Sequence, residues 1–170
     1  MISAIETGRL VLRRMREGDV PAFHAIMRDA ETMRFWSTLP HGSLAETQAF
    51  VAETIRAVDR GTADDFAITL EGAVIGKAGL WQGNELGILL ARPHWGEGFA
   101  TEAARAVIER AFAGGRDELM ADVDPRNAAC LRMLGRLGFR KTGEAKATYL
   151  IGQDWVDSVY LSLISADYGT

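Results

Sequence analysis

Apolar positions recur along this chain with two periods, about 3.6 and about 2 residues, and the switches between them mark its elements. The alternating stretch RLVLRRM at 9–15 predicts a first strand. From about Asp19 the period becomes helical: Val20, Phe23, Met27 and Ala30 share a face, and Pro21 is tolerated in the first turn. A second helix follows, with Ser43 and Glu46 at capping-box spacing and Gly61 as its stop. Leu44, Thr47, Gln48, Val51, Ile55 and Val58 form its partly apolar stripe.

Three short runs then read as strands of an antiparallel meander: DFAITL, AVIGKAGLW and ELGILLA, with tight turns at Glu71-Gly72 and Gly83-Asn84. A long helix from about Phe99 to Phe112 carries Ala100, Ala103, Ala104, Val107, Ile108, Ala111 and Phe112 on one face. ELMADV at 118–123 is a strand that a helix separates from the preceding one, so it can run parallel to it. A short helix over Ala128 to Leu137 ends where Gly138 permits a left-handed residue and Phe139 folds back on Leu134. Two last strands, near 139–150 and 155–164, turn at Gly152 to Asp154. The fold class is α/β: a mixed, mostly antiparallel sheet flanked by helices, in the order β-α-α-β-β-β-α-β-α-β-β. No repeat or linker divides it, so residues 1–170 read as a single domain.

Composition narrows the function. With 48% apolar and 25% charged residues the chain is of ordinary globular type. A net charge of −4 without any basic run argues against a nucleic-acid surface. No apolar stretch approaches the ~18 residues of a membrane span, and the N-terminal residues lack the regions of a signal peptide, so a cytoplasmic location is expected. Cys130 stands alone, and His24, His41 and His94 show no ligand spacing with it, so neither an internal disulfide nor a metal is expected.

Chemistry concentrates in ARPHWGEGFATEA at 91–103, a glycine-containing turn that feeds a helix N-terminus. Unpaired first-turn N–H groups, the positive end of the helix dipole and glycines that admit a ligand suit a phosphate or pyrophosphate. No Gly-Lys-Ser/Thr follows, and Gly96 and Gly98 lack the third glycine of a dinucleotide fingerprint. By spacing alone, a plain strand-to-helix turn fits equally well.

The segments ELGILLARPHWGEGFATEA and DPRNAACLRMLGRLGF, taken with the element order, resemble the GNAT superfamily of N-acetyltransferases, in particular the branch containing the ribosomal-protein alanine acetyltransferases. Trp95, Gly96, Glu97, Gly98, Phe99 and Ala100 fall on the family's Gln/Arg-x-x-Gly-x-Gly/Ala loop, with Trp95 in place of Gln or Arg. The resemblance implies that this loop, through Thr101, holds the pyrophosphate of acetyl-coenzyme A. It further implies that Ile88, Leu89 and Leu90 pair with the pantetheine arm and that Asn127 contacts it. Many members carry a tyrosine near the leaving thiol where this chain has Leu134, and the branch often has a serine at the position of Cys130.

The implied activity is transfer of an acetyl group to a primary amine by direct attack in a ternary complex, without metal. The acceptor would be a protein N-terminus, an amino acid or a small-molecule amine. Glu85 matches the branch's glutamate base; by position alone it reads as a solvated carboxylate beside a turn. Cys130 reads either as the acid for the leaving thiolate or as a small packing residue, and a covalent acetyl-cysteine lacks a histidine partner. Phe35, Trp36 and His41 fall in a region that borders the acceptor in the family, or else belong to the core; Trp81 and Trp155 read as packing residues. Arg92 and His94 flank the loop and either touch phosphate or lie in solvent. A non-catalytic acyl-coenzyme A binder is the alternative, and the final strand would permit a homodimer if it lay at a sheet edge.

Overall fold

The computed structural model describes residues 4–169, and among these eight strands form one sheet covered on both faces by α-helices. Strands β1 (Ala4–Glu6) and β2 (Leu10–Arg13) pair antiparallel and lead into helices α1 (Val20–Met27) and α2 (Leu44–Asp59). The meander follows as β3 (Ala63–Leu70), β4 (Ala73–Trp81) and β5 (Glu85–Leu90). Helix α3 (Phe99–Ala113) connects it to β6 (Glu118–Val123), and α4 (Ala128–Arg136) leads to the hairpin β7 (Arg140–Ile151) and β8 (Asp154–Ile164). The strand order is β1-β2-β3-β4-β5-β6-β8-β7, antiparallel throughout except between β5 and β6.

Strand alternation divides the apolar residues between two cores. Leu10, Leu12, Phe66, Ile68, Ala78, Leu80, Leu86 and Leu90 face α3 and α4, with Ala103, Ala104, Val107, Ile108 and Leu134 packed against them. Ala67 and Leu89 face the opposite side, under Phe23 and Met27 of α1 and Val51 of α2. The glycines at the closest backbone crossings explain themselves: a Cβ on Gly76 would lie 2.1 Å from the Leu89 carbonyl oxygen, and one on Gly79 would lie 2.4 Å from Asp65 Cα.

The predicted helix ends are present, the capping box in part and the glycine stop in full. Ser43 Oγ accepts from the Glu46 N–H at 3.3 Å, while the Glu46 carboxylate reaches the Gly42 N–H rather than that of Ser43. At the end of α4, Phe139 N–H donates to Leu134 C=O and Gly138 N–H to Gly135 C=O, with Gly138 at φ +98°: a Schellman stop.

Four expectations change. Strand β1 is absent from the pattern because three residues are too short to show a period, and its stability comes from pairing with β2. Ala30 lies beyond the end of α1. Trp155 is no packing residue, being 61% exposed near the turn of the last hairpin. The final strand β8 lies between β6 and β7, so the sheet edge on that side is β7 and β8 offers no edge to a second copy.

Candidate active site

Strand β5 parts from its parallel neighbour almost at once. Among the described residues their pairing is confined to Glu85 opposite Met120, beside which the Met120 N–H donates to Asn84 C=O at 2.9 Å. Strand β5 continues beside β4 as far as Leu90, and β6 beside β8 as far as Val123, so each turns an edge to the opening between them. Such an edge presents N–H and C=O groups with which an extended ligand chain can pair.

A cleft of about 540 Å³ occupies this split and is lined from both faces of the sheet. From the α1/α2 face come Trp36, Lys77, Trp81, Glu85 and Asp122; from the α4 side come Asn127, Cys130 and Leu134. The alternation of Glu85 with Leu86, and of Asp122 with Ala121 and Val123, turns both carboxylates away from the α3/α4 core.

The cleft alters its titratable groups. Burial, and then the nearby Asp122, raise the Glu85 carboxyl above its ordinary range, which favours proton acceptance at a higher pH than a surface carboxylate would show. Burial pushes the Tyr149 hydroxyl up to about 12, aided by Asp122 and Glu85. Burial likewise pushes the Cys130 thiol up to about 11, so it remains protonated at neutral pH. Asn127 caps α4, its side-chain oxygen accepting from the Cys130 N–H at 3.2 Å; the cap fixes the start of the helix that carries the thiol.

The cleft floor holds a pair that the sequence reading did not single out. Lys77 Nζ lies 2.5 Å from Asp65 Oδ2, both buried, with Trp36 and Phe50 ring centroids 5.4 and 5.7 Å from the ammonium. The signal was a lysine inside an otherwise apolar strand, two residues from Gly79 and four from Trp81 on the same face. Trp36 serves both readings made of it, packing on the α1/α2 core while lining the cleft. Phe35 and His41 also line it, His41 held by a 2.7 Å hydrogen bond between Nδ1 and Thr47 Oγ1. Trp81 lines it too and is 39% exposed, so it is not simply a packing residue.

The glycine loop lies past the far end of β5. A 3₁₀ turn over Arg92–His94 leads to Gly96 and Gly98, at φ +80° and +81°, and α3 begins at Phe99. Gly98 stands at the N-cap and has no side chain to accept from the first turn; the helical ladder starts with Glu102 N–H to Gly98 C=O at 3.0 Å. The N–H groups of Phe99, Ala100 and Thr101 therefore remain available to an anionic ligand. The indole N–H of Trp95 donates to Leu90 C=O at 2.7 Å and fastens the loop to the end of β5. Arg92 is tied to Asp29 at 3.0 Å, and His94 meets the Phe99 ring edge-on.

The structure thus brings Glu85, Ile88, Asn127 and Cys130 to one cleft. Leu89 and Leu90 continue along β5 toward the loop of Trp95, Gly96, Glu97, Gly98, Phe99, Ala100 and Thr101, which lies outside the cleft. Among the described residues no group of histidine, cysteine or carboxylate side chains could hold a metal ion, and no helix is long and apolar enough to cross a membrane. Arg9, which the sequence reading passed over, reaches the loop from β2's start: its Nη1 donates to Glu97 C=O at 2.8 Å.

Comparison with known proteins bears on the family and the fold. A family model described as an acetyltransferase (GNAT) domain matches residues 9–140. The uncharacterized N-acetyltransferase p20 of Bacillus licheniformis is 27% identical over 176 residues, spanning 98% of this chain and 99% of the relative. Among solved structures, RimL, a ribosomal L7/L12 α-N-protein acetyltransferase bound to coenzyme A through a cysteine disulfide, superposes with a TM-score of 0.85 at 21% identity. That match covers 95% of this chain and 97% of the other. A spermidine N-acetyltransferase from Vibrio cholerae in complex with coenzyme A and spermine gives a TM-score of 0.83 at 19% identity, covering 96% of this chain and all of that one (100%).

Proposed function

The chain belongs to the GNAT acetyltransferase family, and from that premise we propose that it acetylates a primary amine in the split between β5 and β6. It is an acyltransferase with acetyl-coenzyme A as co-substrate. The observation that carries the proposed site is the cleft lined from both faces of the sheet, with Glu85 on one face and Cys130 and Asn127 on the other. Direct attack requires such an opening, because the amine and the thioester must approach a single carbonyl carbon from different directions.

In this reading the first-turn N–H groups after Gly98 bind the pyrophosphate, the edge of β5 over Ile88, Leu89 and Leu90 pairs with the pantetheine amides through the backbone groups that neither β4 nor the Trp95 indole engages, and Asn127 borders the arm. The uncapped helix start and the unpaired strand edge suit these partners. Glu85 accepts the proton of the attacking ammonium, directly or through water. Its raised proton affinity narrows the gap to an α-amino group, whose pKa is about 7.7–8.0.

Cys130 acts as a neutral S–H donor beside the departing sulfur and gives up no proton. Its thiol, at about 11, is a weaker acid than an ordinary thiol at about 8.5, so full transfer to the leaving thiolate would run uphill. The acceptor is a small amine or a protein N-terminus, the two classes found among the structural neighbours.

The experiment is thiol release from acetyl-coenzyme A with a panel of amines. Glu85→Gln is expected to lower kcat/KM by roughly 10²–10³-fold with little change in acetyl-coenzyme A affinity, the defect shrinking at high pH where amines are already neutral. A Gln variant as active as the parent at neutral pH removes Glu85 as the base.

A further inference from the structure

We infer that Arg9 is a positioning residue for coenzyme A: by holding the Glu97 carbonyl it presets the Gly98 N–H for the pyrophosphate. The inference rests on the reading of residues 95–101 as the pyrophosphate loop. The peptide joining Glu97 to Gly98 is flanked by Gly96 at φ +80° and followed by Gly98 at φ +81°. Glycines place little steric restraint on rotation, so this peptide could turn over at small cost unless something holds it.

Arg9 supplies the hold, since its Nη1 donates to the Glu97 carbonyl oxygen at 2.8 Å. A trans peptide is planar, with its C=O and N–H on opposite sides. Fixing the carbonyl toward Arg9 therefore fixes the Gly98 N–H away from it, in the loop whose next three N–H groups are also free.

The guanidinium is itself held in place. Its Nε donates to Glu102 Oε2 at 2.7 Å, and the Arg9 backbone N–H donates to Glu102 Oε1 at 2.8 Å. The Thr7 hydroxyl donates to that same Oε1 at 2.5 Å. The cation lies 4.2 Å from the Phe99 ring centroid, over the first residue of α3. Burial alone would raise the Glu102 carboxyl, but the bonds from Thr7 and Arg9 outweigh it and hold it below its ordinary range, so the clamp stays charged. One planar fork thus joins the loop carbonyl to the first turn of α3, from a residue 88 positions before Glu97. A lysine would offer one nitrogen to the two partners that Arg9 meets with separate nitrogens, Nε and Nη1.

The test is calorimetric titration of the intact chain, Arg9→Met and Arg9→Lys with acetyl-coenzyme A, accompanied by ¹H–¹⁵N spectra and melting curves. The inference predicts affinity weakened roughly ten-fold or more in Arg9→Met and by an intermediate factor in Arg9→Lys. It also predicts amide shifts confined to the loop and its Arg9 and Glu102 neighbours, with Gly98 among the largest. Unchanged affinity in Arg9→Met overturns it, as does weakened affinity accompanied by shifts throughout the spectrum and a lower Tm, which mark a merely structural residue. Failure of the unaltered chain to bind acetyl-coenzyme A would instead overturn the loop reading, and the inference with it.

Discussion

At Glu85 the fold works against the charge that the proposed chemistry uses. Burial and the nearby Asp122 raise its carboxyl above the ordinary range, so the folded chain holds the proton more tightly than the unfolded chain does. Stability from such a group is fully present below the unfolded pKa, about 4.3, and is lost as pH rises through the folded value. Glu85→Gln is therefore expected to lose activity while melting at the same temperature as the parent or up to roughly 2 °C higher at pH 7. The difference should vanish below about pH 4, where the parent carboxyl is protonated in both states. A lower Tm for the variant at pH 7 would mean that the carboxylate is a structural partner and not a strained base. Cys130 carries a related lesson. Its place three residues after Asn127 was legible in the sequence, but its raised proton affinity comes from burial, which only packing reveals.

Among the elements, those defined by local chemistry could be read from the chain and those defined by distant pairing could not. The Schellman stop at Gly138, the Ser43 cap and the period of α3 each depend on residues within a turn or two of one another. The split between β5 and β6 depends on where two strands separated by a helix cease to pair, and the interior place of β8 depends on its register with β6, Glu118 opposite Ile164. The reach of Arg9 to Glu97 likewise joins residues far apart in sequence, the Lys77–Asp65 pair crosses from one strand to the next, and β1, though local to β2, is too short to show a period. The seat of β5 gives a prediction at this scale. Gly76 lies against β5 so closely that an added Cβ would be 2.1 Å from Leu89 O, and backbone cannot swing aside as a side chain can. Gly76→Ala is expected to cost about 1–3 kcal/mol in denaturant unfolding and to weaken acetyl-coenzyme A binding by displacing the strand proposed to pair with pantetheine. Parent-like stability and affinity in this variant would show that β5 can shift without consequence.

For the molecule as a whole, arginine-held carboxylates tie segments that the backbone alone leaves apart. Asp19 joins the start of α1 to Arg13 of β2, Asp64 joins β3 to Arg14 and to Arg110 of α3, and Glu102 joins α3 to Arg9. In each, burial opposes the charge, yet the hydrogen bonds and arginine charges prevail and lower the carboxyl's proton affinity. A depressed folded pKa gives stability that is present above the unfolded value, about 4, and lost as pH falls through the folded one. Melting temperature should accordingly hold nearly level from pH 7 to about 5 and fall steeply below about 4. A level Tm down to about pH 2.5 would remove these ties from the account. The same sheet that they brace opens at β5 to form the proposed site, and the claim that this opening and the loop beyond it hold acetyl-coenzyme A is tested most directly by calorimetric titration of the purified chain. The account predicts saturable one-to-one binding that Gly98→Val, strained at φ +81°, abolishes. Absence of binding, or equal binding by the valine variant, would contradict it.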